Sequence, residues 1–203
     1  RKEKFDVRMG NMVARVIEND VPLVYLNMVG GQDDQVFDGG SFVLNRGAKL
    51  AVQLPLFDSM LAHVDFVQTD DGWEALEGEK HLFPDDLEQD YRAMVESLRD
   101  YMGKTGFKKV LLGLSGGVDS AIVATIAADA LGPENVRGVM MPSEFTSQAS
   151  LDDAQGVVDA LGCKYDTVSI TGPRAALTEA LAPLFAGHEE GLAEENIQSR
   201  LRG

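Results

Sequence analysis

The chain has 203 residues and a formal net charge of −15, from 33 acidic against 18 basic side chains. No basic patch or tail interrupts that balance, which argues against charge-driven binding to nucleic acid or to an anionic membrane. No apolar run reaches the roughly 20 residues of a membrane span, and no signal-peptide pattern opens the chain. The lone cysteine, Cys163, rules out an internal disulfide framework and fits a reducing cytoplasm. The start, Arg1-Lys2-Glu3-Lys4, lacks an initiator methionine and reads as the interior of a longer protein.

In chain order, Met9, Met12, Val13, Val16 and Ile17 mark one face of an amphipathic helix from Met9 to Glu18. Asn19-Asp20 stop it and Pro22 prevents its restart. Leu23 to Val29 reads as a buried strand, Gly30 to Asp34 as a loop, and Asp38-Gly39-Gly40 as a turn. Ser41–Asn45 and Lys49–Leu54, joined at Arg46-Gly47-Ala48, predict a hairpin, and Leu61 to Thr69 a further strand. These expectations make residues 1–69 one domain. The polar stretch 70–84, punctuated by Gly72, Gly78 and Pro84, is expected to be a linker, and 85–203 a second domain.

In that second part Asp85-Asp86 open a helix to about Met102, with a core-facing stripe of Leu87, Tyr91, Met94, Val95, Leu98, Tyr101 and Met102. Strand (Val110 to Leu114), helix (Val118 to Leu131), strand (Val136 to Met141), helix (Ser147 to Leu161), strand (Lys164 to Ile170) and helix (Arg174 to Phe185) follow. A last helical piece begins at Gly191. Alternating strands and helices predict an α/β domain, a doubly wound parallel sheet with right-handed crossovers. Ligands of such sheets bind beyond the carboxyl ends of the strands, where Ser115, Ser143 and Thr171 are expected.

The informative stretch is Gly113-Leu114-Ser115-Gly116-Gly117-Val118-Asp119-Ser120. Glycines at the strand-to-helix turn permit positive φ and close approach of another molecule. The first amides of the helix have no intrahelical partner and sit at the positive end of its dipole, so the loop suits a phosphate. It is not a Walker A loop, because no lysine follows the glycine pair, and the glycine order fails the dinucleotide fingerprint as well. A plain connection would use Ser115 as a cap and Asp119 against the dipole, but would not need two glycines, two hydroxyls and an acid together. Cys163, in Ala160-Leu161-Gly162-Cys163, reads as a small packed residue. His63, His81 and His188 lack a second ligand at helical spacing, so no zinc site is expected.

Ser115 to Ser120 match S-G-G-x-D-S throughout, so the second domain resembles the PP-loop ATP pyrophosphatases. The first part, L-V-Y-L-N-M-V-G-G-Q-D-D-Q-V-F-D-G-G-S, is similar to the distal half of a nitrilase-type glutaminase domain. Their fusion, with G-V-M-M-P-S-E-F-T-S-Q-A-S-L-D-D-A and E-E-N-I-Q-S-R-L-R, resembles the glutamine-dependent NAD synthetases, with Ala193 where that family has threonine.

The resemblance implies the C-terminal half of a nitrilase-like αββα domain, then a Rossmann-like PP-loop domain of adenine nucleotide alpha hydrolase type. It implies ATP-dependent amidation of deamido-NAD, with ATP held at Gly113 to Ser120 and Mg²⁺ by Asp119. It further implies deamido-NAD at Asn196 and Arg200, with Arg202 a lesser candidate, glutamine at Lys4, and a homo-oligomer. The glutaminase Glu–Lys–Cys triad is expected upstream of Arg1, with ammonia reaching the second domain from there. Other PP-loop amidotransferases with a different acceptor, and an ATP-binding module without turnover, are the alternative readings.

Overall fold

The computed structural model describes residues 4–185 and 192–202, with side chains over 5–184 and 196–202. The chain forms two compact units, Arg1–Lys104 and Thr105–Gly203.

The first unit begins with helix α1 (Lys4–Asn19), whose stripe packs on a sheet of β1 (Leu23–Tyr25), β4 (Phe42–Asn45) and β5 (Lys49–Gln53), all antiparallel in the order β1-β4-β5. Val16, Phe42 and Leu44 are sealed between them, with Phe5, Met9, Met12 and Val13 alongside. Each such side chain contributes about 1.5–3 kcal/mol of burial. Ile17, placed on the same stripe by its spacing, stays exposed. Asp20, at φ 50°, ends the helix as expected.

The expected strand from Leu23 to Val29 breaks after Tyr25. Leu26 and Met28 are exposed, and Val29–Gln32 instead forms β2, paired with β3 (Gln35–Asp38) across Asp33-Asp34. The stretch read as a loop is therefore a hairpin. Its glycines explain this, because Gly30 and Gly31 lie against the Asp100 carboxylate, which a Cβ would meet at 3.3 and 3.1 Å.

From Leu61 to Asp65 the chain is irregular, and only β6 (Phe66–Thr69) forms, paired with β7 (Gly72–Ala75). The stretch 70–84 thus carries a strand, and Asn45 clasps Ala75 through both its amide atoms at 2.8 Å. Helix α2 (Asp86–Thr105), begun by Asp85 accepting the Glu88 amide at 2.9 Å, belongs mostly to this unit. Of its apolar stripe only Val95 and Met102 are buried, while Leu87, Met94 and Tyr101 are exposed. Lys104 at its end donates to the Gly31 carbonyl.

The second unit is a parallel sheet in the order β10-β9-β8, from β8 (Val110–Leu114), β9 (Val136–Met140) and β10 (Lys164–Thr167). Helices α3 (Val118–Leu131) and α4 (Gln148–Leu161) supply the crossovers, and α5 (Thr171–Phe185) and α6 (Leu192–Arg202) follow. Leu114, Ala124, Met140, Ala154 and Val158 form the core. Gly138 lets β9 and β8 close up, since a Cβ there would meet Leu114 Cδ1 at 2.4 Å. Among the described residues Leu111 is 70% exposed on the other side of β8, where an Arg137–Asp166 ion pair at 3.3 Å bridges β9 and β10. The apolar residues of helix α3 are not confined to one face, and its Val118, Ile122 and Val123 are exposed. No helix among the described residues is long and apolar enough to cross a membrane.

Candidate functional site

At the carboxyl edge of the parallel sheet β8 ends at Leu114 and the chain turns through Ser115, Gly116 and Gly117 into α3. Gly116 has φ 78°, the left-handed region open to glycine, and a Cβ there would lie 2.3 Å from the Ser150 carbonyl oxygen. The loop is thus wedged against the first turn of α4, and only a hydrogen fits.

The two serines hold the loop from within. Ser120 Oγ accepts the Ser115 amide at 3.2 Å and donates to the Gly117 carbonyl at 2.9 Å. Ser115 Oγ accepts the Gly117 amide at 3.2 Å and lies 3.2 Å from Ser120 Oγ. Gly117 is the N-cap residue of α3, with no side-chain cap bond. The opening amides of α3 are therefore left for an outside acceptor, at the positive end of the dipole. Asp119 stands in this first turn, exposed, as does Val118 at 70%. Gly113 and Leu114 lead into the loop on the strand, Leu114 buried and Gly113 exposed.

Next to it, β9 runs out through Met141 and Pro142 into a turn closed on itself. The Ser143 amide donates to Thr146 Oγ1 at 3.0 Å, and the Thr146 amide to the Ser143 carbonyl at 3.1 Å. Arg174, in the first turn of α5, pairs with Glu144 and lies 4.8 Å over the Phe145 ring. Sequence reasoning missed this contact, because Arg174 and Glu144 stand 30 residues apart, and the motif that contains Glu144 does not reach Arg174.

The other expected residues scatter. On α6, Asn196 and Arg200 are exposed, and no described contact joins them to the glycine loop. It is Arg202 whose Nε reaches the Met141 carbonyl, at 3.2 Å. Lys4 opens α1, but its side chain lies outside the described residues, as does the expected helical start at Gly191. Cys163 follows Gly162 at the end of α4, where burial raises its thiol pKa, which suits packing rather than attack.

In the first unit, Asn27, Asp38 and Arg8 form a connected group. Asn27 Nδ2 donates to Asp38 Oδ1 at 2.9 Å and to the Gly39 carbonyl at 2.8 Å. Arg8 grips both Asp38 oxygens, at 2.6 and 2.8 Å. Burial works against the Arg8 charge, but Asp38 and Tyr25 outweigh it and raise the guanidinium pKa. A cavity of about 170 Å³ beside this group is lined by Asn27, Gly39, Ser41 and Asp58. A larger cleft, about 700 Å³ and lined by Asp20, Arg46, Phe66 and Trp73, includes none of the candidate binding residues read from the sequence.

The NAD synthase family model matches residues 90–203, more than half of the chain. The chain belongs to the NAD synthase family. It is 57% identical to the glutamine-dependent NAD(+) synthetase of Rhodobacter capsulatus over 203 residues, all of this chain and 37% of that protein. Among solved structures, the glutamine-dependent NAD+ synthetase of Acinetobacter baumannii in complex with adenosine diphosphate superimposes with a TM-score of 0.91. That match is at 35% identity and covers 98% of this chain and 38% of that one. The NH3-dependent NAD synthetase of Campylobacter jejuni matches at 28% identity with a TM-score of 0.51, over 59% of this chain and 49% of that one. The chain thus spans little more than a third of the glutamine-dependent relatives. The NAD synthase match starts at residue 90, inside α2, although most of that helix packs with the first unit.

Proposed function

We propose that the protein carries out ATP-dependent amidation of deamido-NAD to NAD through an adenylated intermediate, with ammonia supplied by glutamine hydrolysis. The observation that carries this reading is the Ser115–Ser120 loop: an uncapped helix start, two hydroxyls and an exposed carboxylate at the carboxyl edge of a parallel sheet. In this reading residues 85–203 belong to the synthetase part, 70–84 connect, and 1–69 are the distal part of a nitrilase-like glutaminase domain. The Glu–Lys–Cys triad of that domain lies upstream of Arg1, and Lys4 contacts the glutamine.

The nicotinate carboxylate of deamido-NAD attacks the α-phosphorus of ATP and pyrophosphate leaves; ammonia then displaces AMP to give the amide. Negative charge gathers on the leaving pyrophosphate, so catalysis is chiefly positioning and electrostatics. The amides of Gly116, Gly117 and Val118 donate to phosphate oxygens, while Gly113 and Leu114 set the loop's entry. Ser115 and Ser120 exchange their mutual contact for bonds to phosphate. Asn196 and Arg200 contact deamido-NAD.

Asp119 fits a magnesium ligand of a particular kind. It is exposed, and no group of three or more His, Cys, Asp or Glu among the described residues could cage a metal. Mg²⁺ commonly takes one or two carboxylates, with substrate phosphates and water completing its shell. When bound, the ion neutralises charge on the phosphate oxygens. The exposed apolar residues of α3, Val118, Ile122 and Val123, support assembly as a homo-oligomer. The lone free Cys163 supports a cytoplasmic setting.

The test supplies Mg-ATP, deamido-NAD and either glutamine or ammonium to the protein carrying this sequence. NAD, AMP and pyrophosphate are expected in equal amounts, and Asp119→Asn is expected to weaken Mg²⁺-dependent ATP binding by about tenfold or more. ATP bound without NAD from either nitrogen source would overturn the reading in favour of a binding module. Pyrophosphate released only with another acceptor would overturn it in favour of a different amidotransferase.

A further inference from the structure

We infer that Arg174 is a positioning residue, a latch that holds the 143–147 turn against the nucleotide loop and so sets how tightly Mg-ATP is held; this rests on the ATP site proposed above. The chain of contacts is continuous. Gly116 of the loop lies against Ser150, in the first turn of α4. Ser147 caps that helix, its Oγ accepting the Ser150 amide at 3.2 Å and lying 3.0 Å from Ser150 Oγ. The turn that delivers Ser147 is closed internally by Ser143 and Thr146, and Ser143 is buried.

Those bonds fix the turn's shape but not its place. The backbone tie before it is the Ile170 amide donating to the Pro142 carbonyl at 3.0 Å. Beyond Pro142 the side-chain hold comes from Arg174, on the helix that Ile170 leads into. Its guanidinium pairs with Glu144 and lies 4.8 Å over one face of the Phe145 ring, a residue that keeps the rest of its surface exposed. Arginine is suited to this double contact, because one planar cation can pair at its edge and stack on its face. The Arg174 side chain is itself only 17% exposed, so it is held in one place by α5 and its neighbours. A packed cation on one helix thereby determines where a short polar turn on another element sits.

The test uses Arg174→Gln, Arg174→Lys and Glu144→Gln in the protein carrying this sequence. Glu144→Gln alters a partly exposed residue and leaves α5 untouched, so it remains informative if an Arg174 variant fails to fold. Two readouts are needed: the rate of chymotryptic cleavage after Phe145, and the dissociation constant for Mg-ATP. Arg174→Gln and Glu144→Gln should each speed cleavage and weaken Mg-ATP binding by about two- to fivefold. The double variant should be no worse than the worse single, and Arg174→Lys, which keeps the charge but not the planar stack, should fall between. Unchanged cleavage and unchanged binding in both Gln variants would overturn the latch. Faster cleavage with unchanged ATP binding would overturn its link to the nucleotide. If the unsubstituted protein binds no Mg-ATP, the functional reading fails, and the cleavage rates alone then decide whether the latch exists.

Discussion

Two helices begin side by side at the carboxyl edge of the parallel sheet, and their first turns are finished in opposite ways. Helix α4 starts at Ser147, whose hydroxyl accepts the Ser150 amide at 3.2 Å, so the helix satisfies part of its own need. Helix α3 starts at Gly117, with no side-chain cap, although Ser115 and Ser120 stand within reach of the same loop. Those hydroxyls bond to each other and to the loop backbone, and the opening amides of α3 stay open. One helix start is finished by its own side chain; the other, at a strand end with an acid in its first turn, is not.

The sharpest way to break this contrast is Gly116→Ala. A residue other than glycine at φ 78° carries strain, and its Cβ would sit 2.3 Å from the Ser150 oxygen, forcing α4 away. The combined destabilisation is expected to be about 2–5 kcal/mol. Urea unfolding midpoints measure it, with loss of Mg-ATP binding in whatever remains folded. A destabilisation below about 0.5 kcal/mol, from the midpoint shift multiplied by m, would mean that the wedge between loop and α4 is not there.

Removing the structural cap is milder. Ser147→Ala should cost about 1 kcal/mol, seen as a lower melting temperature. The converse substitution, Gly117→Ser, gives α3 the cap it lacks. Gly117 has φ −88° and ψ 156°, a conformation any residue adopts, and the nearest atom to an added Cβ is Ser115 Oγ at 3.3 Å. The helix should gain about a few tenths of a kcal/mol. Mg-ATP binding should weaken, because the new side chain accepts from the Asp119 or Ser120 amide and crowds the loop face where phosphate would sit. A gain in both stability and affinity would show that the bare start is not reserved for an anion.

The smallest effect lies at the far end of α4, where Gly162 at φ 73° ends the helix before Cys163. Burial disfavours the thiolate and raises the Cys163 pKa. Its reaction with a disulfide reagent should therefore be slower at pH 7 than that of an exposed cysteine and rise only in alkali. The linkage has a definite sign. With the folded pKa above the unfolded one, the folded state keeps its proton longer, so stability declines slightly as pH rises past about 8.5. Fast labelling at neutral pH would contradict a packed thiol.

Much of the fold was legible where spacing and punctuation are local. The α1 stripe, the hairpin through Arg46-Gly47-Ala48 and the strand–loop–helix order of the second unit all follow from the periodicity of apolar residues and the placing of glycines. Errors came where a long-range partner redirected a short segment. Leu26 and Met28 are apolar enough for a strand but face solvent, while Gly30 and Gly31, read as a loop, pair as a strand beneath Asp100. On α2 the apolar spacing likewise predicts more burial than forms, since Leu87 is 78% exposed and Met94 45%. Apolar spacing shows which face of a helix could be buried, not how much of it finds a partner.

For the site, the sequence by itself determined the chemistry on offer: glycines where the backbone must turn, two hydroxyls, one acid and a helix dipole, all set within six successive residues. Local order suffices there because each property belongs to a residue type or to the strand-to-helix junction itself. Tertiary structure alone decided that Gly116 meets Ser150, that Ser115 and Ser120 bond to each other rather than cap α3, and that Arg174 crosses 30 residues to reach Glu144 and Phe145. Those outcomes depend on how α3, α4 and α5 pack around one sheet, which fixes distances between residues that the sequence leaves far apart.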